Sequence, residues 1–282
     1  MDCRVQDNDE LFAFSTNRGF DMLYSSMEDI ELTRTPMHLQ DILDNERFRP
    51  VYQPIHRLSD EQLVGFEALT RFTTSAAGKP GYWFNQAALA GLTETLEHAV
   101  LERALRDTQK LTGNRYMSLN ISPSTILDGT VTEILSNYPL EKLVLEITEH
   151  EAIQNYRPLL QILAPLREAG LRIAIDDAGS GYASFRHVLE FQPEIIKLDQ
   201  SLARDIDANA NSQALIRAMT GFAVETGCQL LAEGVETRGE AQMLRHLGID
   251  AVQGYYFGAP EPLGRHAEGW RQEVRVTGDS EG

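Results

Sequence analysis

The chain has 282 residues, of which 42 are acidic and 25 basic, giving a formal charge of −17. That length suits one large α/β barrel or two modest domains, and an apolar share of 42% excludes wholesale disorder. The longest stretch without a formal charge, Pro80–Thr93, is 14 residues and too short to span a bilayer, and the acidity disfavours binding to a nucleic-acid polymer.

Residues 1–40 stand apart. Leu11-Phe12-Ala13-Phe14 and Met22-Leu23-Tyr24 are short apolar clusters in an acidic background, and Met1-Asp2-Cys3-Arg4 does not resemble a signal peptide. This part reads as a terminal extension, with helix expected over Met37–Asn45. Val51–Ile55 and Leu63–Leu69 read as strands, separated by little more than Ser59-Asp60-Glu61-Gln62. A parallel crossover needs a dozen or more residues, so these two are expected to pair as an antiparallel hairpin. Strands and helices then alternate, with strands expected at Tyr116–Ile121, Leu143–Ile147, Arg172–Ile175, Ile195–Leu198, Gln229–Ala232 and Ala251–Tyr255. Gly113, Gly170, Gly227 and Gly248 each follow a helical run and precede a strand, where positive φ is wanted. Ser122-Pro123 reads as an N-cap with Pro at the first helical position. Leu215, Met219, Phe222 and Ala223 are expected to share one helix face, as are Ala241, Leu244 and Leu247.

Seven strands carry an acid, an amide or a lysine at or near the C-terminal end: Glu67, Asn120, Glu146, Asp176-Asp177, Lys197, Glu233 and Gln253. In an open sheet, groups on distant strands would not meet. In a closed barrel the C-terminal ends form one ring, where barrel active sites sit. The expected fold is therefore of α/β class: a TIM-like (β/α)8 barrel over residues 41–270, with one antiparallel strand from the N-terminal hairpin and a tail at 271–282.

Any one of these residues alone would read as a helix cap, a solvated loop residue or a core amide. Gathering so many carboxylates is costly without cations, and the recurrence at seven strand ends favours a site. Every donor is an oxygen, which suits Mg²⁺ or Mn²⁺ and not zinc or copper. Cys3 and Cys228 make neither a disulfide framework nor a zinc motif, in keeping with a reducing, cytoplasmic setting. Neighbouring strand residues face opposite ways, so Asp176 and Asp177 converge only if the strand stops there and the turn Asp177–Gly181 redirects them. Two carboxylates so placed can bridge two metals, and Lys197 nearby would stabilise charge developing on a phosphate. The residues by themselves read as a metal-dependent phosphodiesterase.

Tyr52-Gln53-Pro54-Ile55, Glu67-Ala68-Leu69-Thr70-Arg71, Leu119-Asn120-Ile121-Ser122, Glu146-Ile147-Thr148-Glu149, Asp176-Asp177-Ala178-Gly179-Ser180-Gly181, Ile196-Lys197-Leu198-Asp199, Ala232-Glu233-Gly234-Val235-Glu236-Thr237 and Gln253-Gly254-Tyr255 follow one another in the chain. Together they resemble the motif set of the EAL-domain cyclic di-GMP phosphodiesterases, across residues 46–265. The resemblance implies hydrolysis of cyclic di-GMP to linear 5′-pGpG at a site for two Mg²⁺ or Mn²⁺ ions. It implies Glu67, Asn120, Glu146 and Asp176 as ligands of one ion, and Asp176, Asp177 and Glu233 as ligands of the other. Glu233, Lys197, Glu67 and Asp177 are the implied catalytic group. Gln53, Leu69, Arg71, Asn120 and Gln253 are the implied substrate contacts, Arg71 through a phosphate. Glu149 matches a residue that steadies the loop after Asp176. That loop also takes part in family dimerisation, so a homodimer is a candidate assembly.

Ala178 stands where the family usually has Phe, and Ser180 where it usually has Thr, which makes the loop less bulky. The stretch Trp83–Gly91 lacks the acid common before the family's Gly-Leu, so a rim of the nucleotide site is expected to differ. The competing function is a non-catalytic cyclic di-GMP receptor or protein-interaction module of the same fold, but such members lose metal ligands and none is lost here. A His-Asp metal phosphohydrolase is excluded, because none of His38, His56, His98, His150, His187, His246 and His266 is followed by Asp.

Overall fold

The computed structural model describes residues 39–73, 80–147, 153–178 and 182–265. Eight strands close into one barrel in chain order: β1 (Phe48–Arg57), β2 (Leu63–Phe72), β3 (Tyr116–Ile121), β4 (Leu143–Ile147), β5 (Arg172–Ala178), β6 (Ile195–Leu198), β7 (Gln229–Ala232) and β8 (Ala251–Val252). β1 runs antiparallel to β2 and β8, while the other neighbours pair in parallel. The expected hairpin is present, with Gln53 opposite Glu67. Because β1 is reversed, it starts from the rim at which β2–β8 end, and the pairing with Glu67 brings Gln53 to the ring.

Around the barrel lie α1 (Pro80–Ala90), α2 (Thr93–Thr108), α3 (Pro123–Leu127), α4 (Thr130–Leu135), α5 (Arg157–Glu168), α6 (Tyr182–Phe191), α7 (Gln200–Ala203), α8 (Ala210–Thr226) and α9 (Arg238–His246). A helical segment at residues 39–44 lies within the expected span before β1. It buries Leu39 and Ile42 with Phe48, Trp83 and Leu96.

Alternation along each strand separates two cores. On β3, Met117, Leu119 and Ile121 join the main core beneath the helices, whereas Tyr116 faces the other way. Tyr116 packs in an interior cluster with Ile55, Val144, Ala174, Ile195 and Leu231. Gly65 makes room there, since a Cβ would lie 2.8 Å from the Tyr116 ring. Two residues toward the rim, the same faces carry Gln53, Glu67, Ser118, Glu146, Asp176, Lys197 and Glu233, with Gln253 just beyond β8. An apolar plug thus underlies a polar storey.

Local signals are realised where the sequence carries them. Gly113, Gly170, Gly227 and Gly248 have φ of 65°, 105°, 76° and 84°. The Ser122 side chain accepts from the Thr125 amide at the start of α3. On α8 the face is displaced from expectation: Ile216, Met219 and Ala223 are buried, while Leu215 and Phe222 are 41% and 38% exposed. The 3.6-residue repeat is centred on Ile216, and Leu215 and Phe222 flank it. β8 is shorter than expected. Gln253 still bonds Ala232 and Val235 through its backbone, but Gly254 then passes so close to Val235 that a Cβ would sit 2.1 Å from the Val235 oxygen. The expectations for the extension before residue 39, for Glu149, for Ser180 and for the tail lie outside the described residues.

Candidate active site

Lys197 is the centre of the polar storey. It is 1% exposed, and its Nζ lies 2.6 Å from Glu233 Oε1, 2.7 Å from Glu146 Oε2, 2.9 Å from Asp176 Oδ1 and 3.6 Å from Glu67 Oε1. The Asp176 contact is an ion pair without hydrogen-bond alignment. Asn120 Nδ2 donates to Glu67 Oε1 at 2.9 Å. Gln253 Nε2 donates to Glu67 Oε2 at 2.5 Å and to Gln53 Oε1 at 3.0 Å. Gln53 Nε2 in turn donates to the Gly258 carbonyl at 3.3 Å. One network therefore joins Gln53, Glu67, Asn120, Glu146, Asp176, Lys197, Glu233 and Gln253.

Asp177 reaches the rim by a route that differs from expectation. β5 does not stop at Asp176 but continues to Ala178, which pairs with Leu198. The register shifts between Ile175 and Ala178, and Asp177 has φ of 53°. A bulge with one left-handed residue, and not a strand end, swings the second carboxylate round. Asp tolerates this conformation better than most residues, at a cost of about 1 kcal/mol. Asp176, Asp177 and Glu233 then offer oxygens that all lie within 4.8 Å of one another.

Burial pushes the Glu233 carboxyl up to about 8, with Lys197 pulling it down and Asp176 and Glu67 pushing it further up. Burial likewise drives Glu146 well above the ordinary carboxylate range, against the pull of Lys197. Burial alone would lower Lys197, but Asp176, Glu146, Glu233 and Glu67 outweigh it and hold the ammonium above the usual lysine range. Four carboxylates face this one ammonium. The buried Gln253 Oε1 has no hydrogen-bond partner among the described residues. An all-oxygen donor set, more carboxylate than Lys197 can balance and an unpaired inward acceptor fit hard divalent cations.

Leu69, Arg71 and Asn120 line a cavity of about 570 Å³ beside the ring, walled by α1 and α2 through Phe84, Asn85 and Glu97. Arg71 Nη1 donates to the Thr70 carbonyl at 3.2 Å. Phe84 and Asn85 belong to the stretch Trp83–Gly91 expected at a rim of the nucleotide site, whereas Glu97 was missed in the sequence, as was Ser118, which donates to Glu146 Oε1 at 2.5 Å. The signal for Ser118 was its place two residues before Asn120, on the same strand face.

Fold and site define an α/β barrel protein with a lysine-centred, oxygen-donor site at the rim. Residues 37–260 match the family model of the EAL domain, and the chain belongs to that family. It is 28% identical over 259 residues to the signaling protein YkoW of Bacillus subtilis, covering 88% of this chain and 32% of that protein. It is 34% identical over 152 residues to the "Probable cyclic di-GMP phosphodiesterase PdeA" of Escherichia coli, covering 52% of this chain and 21% of that protein. A solved structure of Klebsiella pneumoniae BlrP1, a manganese and cyclic di-GMP complex, aligns with a TM-score of 0.68 and 28% identity, over 76% of this chain and 56% of that one. The chain spans about a third of the length of YkoW. No helix among the described residues is long and apolar enough to cross a membrane.

Proposed function

We propose that this chain is a cyclic di-GMP phosphodiesterase, hydrolysing its substrate to linear 5′-pGpG with two Mg²⁺ or Mn²⁺ ions in a barrel domain over residues 41–270. The observation that carries this is the convergence of Glu67, Glu146, Asp176 and Glu233 on Lys197 at the rim of an EAL-family barrel. The likeness to PdeA and to the BlrP1 complex supports the substrate and the metal class.

Glu67, Asn120, Glu146 and Asp176 would hold one ion, and Asp176, Asp177 and Glu233 the other. When bound, such ions neutralise charge developing on a phosphate and promote ionisation of a water. Glu233 and Gln253 orient the attacking water, Gln253 through its unpaired Oε1. The water oxygen bonds to phosphorus and gives up a proton, the P–O3′ bond breaks, and the 3′ oxygen takes up a proton, so that one water is consumed in all. Lys197 remains an ammonium and stabilises the developing phosphate charge. Arg71 clamps a phosphate with its fork, while Leu69, Gln53 and Asn120 contact the nucleotide. A cytoplasmic setting and a homodimer assembled through the loop after Asp176 go with this function.

Incubation with cyclic di-GMP and Mg²⁺ or Mn²⁺, followed by chromatography, tests the proposal. The expected product is 5′-pGpG. Intact cyclic dinucleotide that stays bound to the protein would favour the receptor instead.

A further inference from the structure

We infer that Ser118 is a positioning residue that presets the Glu146 carboxylate for cation ligation; this rests on the proposed two-metal phosphodiesterase. Both side chains are buried, each residue 1% exposed. Ser118 Oγ donates to Glu146 Oε1 at 2.5 Å, and Lys197 Nζ meets Glu146 Oε2 at 2.7 Å. The two donors come from β3 and β6, and each takes a different oxygen.

A carboxylate rotates easily about its last bond, which is broad and roughly two-fold. With one donor on each oxygen, that rotation breaks both contacts together. Each oxygen keeps a further lone pair, so the group stays able to ligate. If Ser118 is removed, Lys197 alone holds the carboxylate, and Oε1 is left buried without its donor. An apolar residue would otherwise suit this position, since Met117 and Leu119 beside it are buried and Tyr116, one step below, packs in the interior cluster. A hydroxyl of this reach is explained by what it bonds. Groups that orient a metal ligand typically change affinity by about 10–100-fold when removed.

The test is Mn²⁺ binding to the full chain without nucleotide, followed by electron paramagnetic resonance and calorimetric titration, on the parent, Ser118→Ala and Ser118→Cys. The parent should bind two ions. Ser118→Ala should bind one of them on the order of 10–100-fold more weakly, with an altered Mn²⁺ line shape. Ser118→Cys keeps a side chain that fills the site but offers only a weak donor, so it separates loss of the hydrogen bond from loss of side-chain atoms, and it should show a weakening as well. A folded Ser118→Cys protein that binds both ions with parental affinity and line shape overturns the role of Ser118 and leaves the phosphodiesterase standing. A parent that binds no Mn²⁺ overturns both.

Discussion

Glu233 and Arg71 are placed so that removing each should have a different consequence. Glu233 sits against Lys197 and offers an oxygen to the Asp176–Asp177 group, whereas Arg71 lines the neighbouring cavity. Glu233→Gln keeps the shape and removes the carboxylate that would hold an ion, so turnover should fall by orders of magnitude with nucleotide binding largely retained. Arg71→Ala should weaken binding and turnover together, because its fork would serve the ground state as well. Turnover assays beside binding titrations on both variants check this. Ala178, expected in the loop after Asp176, is instead the last residue of β5. It is fully buried in the main core and pairs with Leu198. Ala178→Phe should therefore overpack and destabilise by about 1–3 kcal/mol, read from the denaturation midpoint. At this scale the strand-end acids were legible because a charge closing an apolar run stands out. Ser118 was not, because a serine within a strand is ordinary until the face it shares with Asn120 is taken into account.

Among the elements, the start of α9 shows how a cap can organise two rim connections. The Thr237 side chain accepts from the Glu240 amide, and Glu240 Oε2 accepts from the Glu236 and Thr237 amides at 2.8 and 2.9 Å. Glu240 Oε1 accepts from the Asp205 amide at 3.1 Å, tying the connection after β6 to the one that carries Glu233. Burial works against the charge, but the amides of Glu236, Asp205 and Thr237 outweigh it and hold the Glu240 carboxyl below the ordinary range. A depressed carboxyl gives stability that is fully present above the ordinary glutamate pKa and is lost as pH falls through the folded value. Glu240→Gln should cost about 1.5–3 kcal/mol at neutral pH, and the gap to the parent should narrow in acid. Urea denaturation of both proteins from pH 7 to pH 3 measures it; a gap that does not depend on pH would count against the carboxylate. Helix stops and the hairpin were legible because glycine placement and connection length each leave few options. The β5 bulge was not, since two adjacent aspartates read the same whether a strand ends or kinks.

For the whole molecule, closure is what makes a site. Gln53 and Gln253 come from opposite ends of the barrel sequence yet share a hydrogen bond of 3.0 Å. The ring implied closure before any contact was known, because polar groups on seven strands can meet only at one end of a barrel. The cavity walled by α1 and α2 was not legible, since it is a gap between elements and leaves no periodic mark in either. Hydrolysis, as proposed, depends on hard divalent cations gathered by the carboxylates around Lys197. Mg²⁺ demands tight octahedral geometry, whereas Ca²⁺ accepts longer bonds and more ligands, so Ca²⁺ should misplace the reacting groups. The most direct measurement is 5′-pGpG formation from cyclic di-GMP after exhaustive chelation, followed by return of single metals to the same sample. Activity should vanish on chelation, return with Mg²⁺ or Mn²⁺, and return poorly with Ca²⁺. Full turnover in the chelated protein would rule out a metal-dependent reaction at this site.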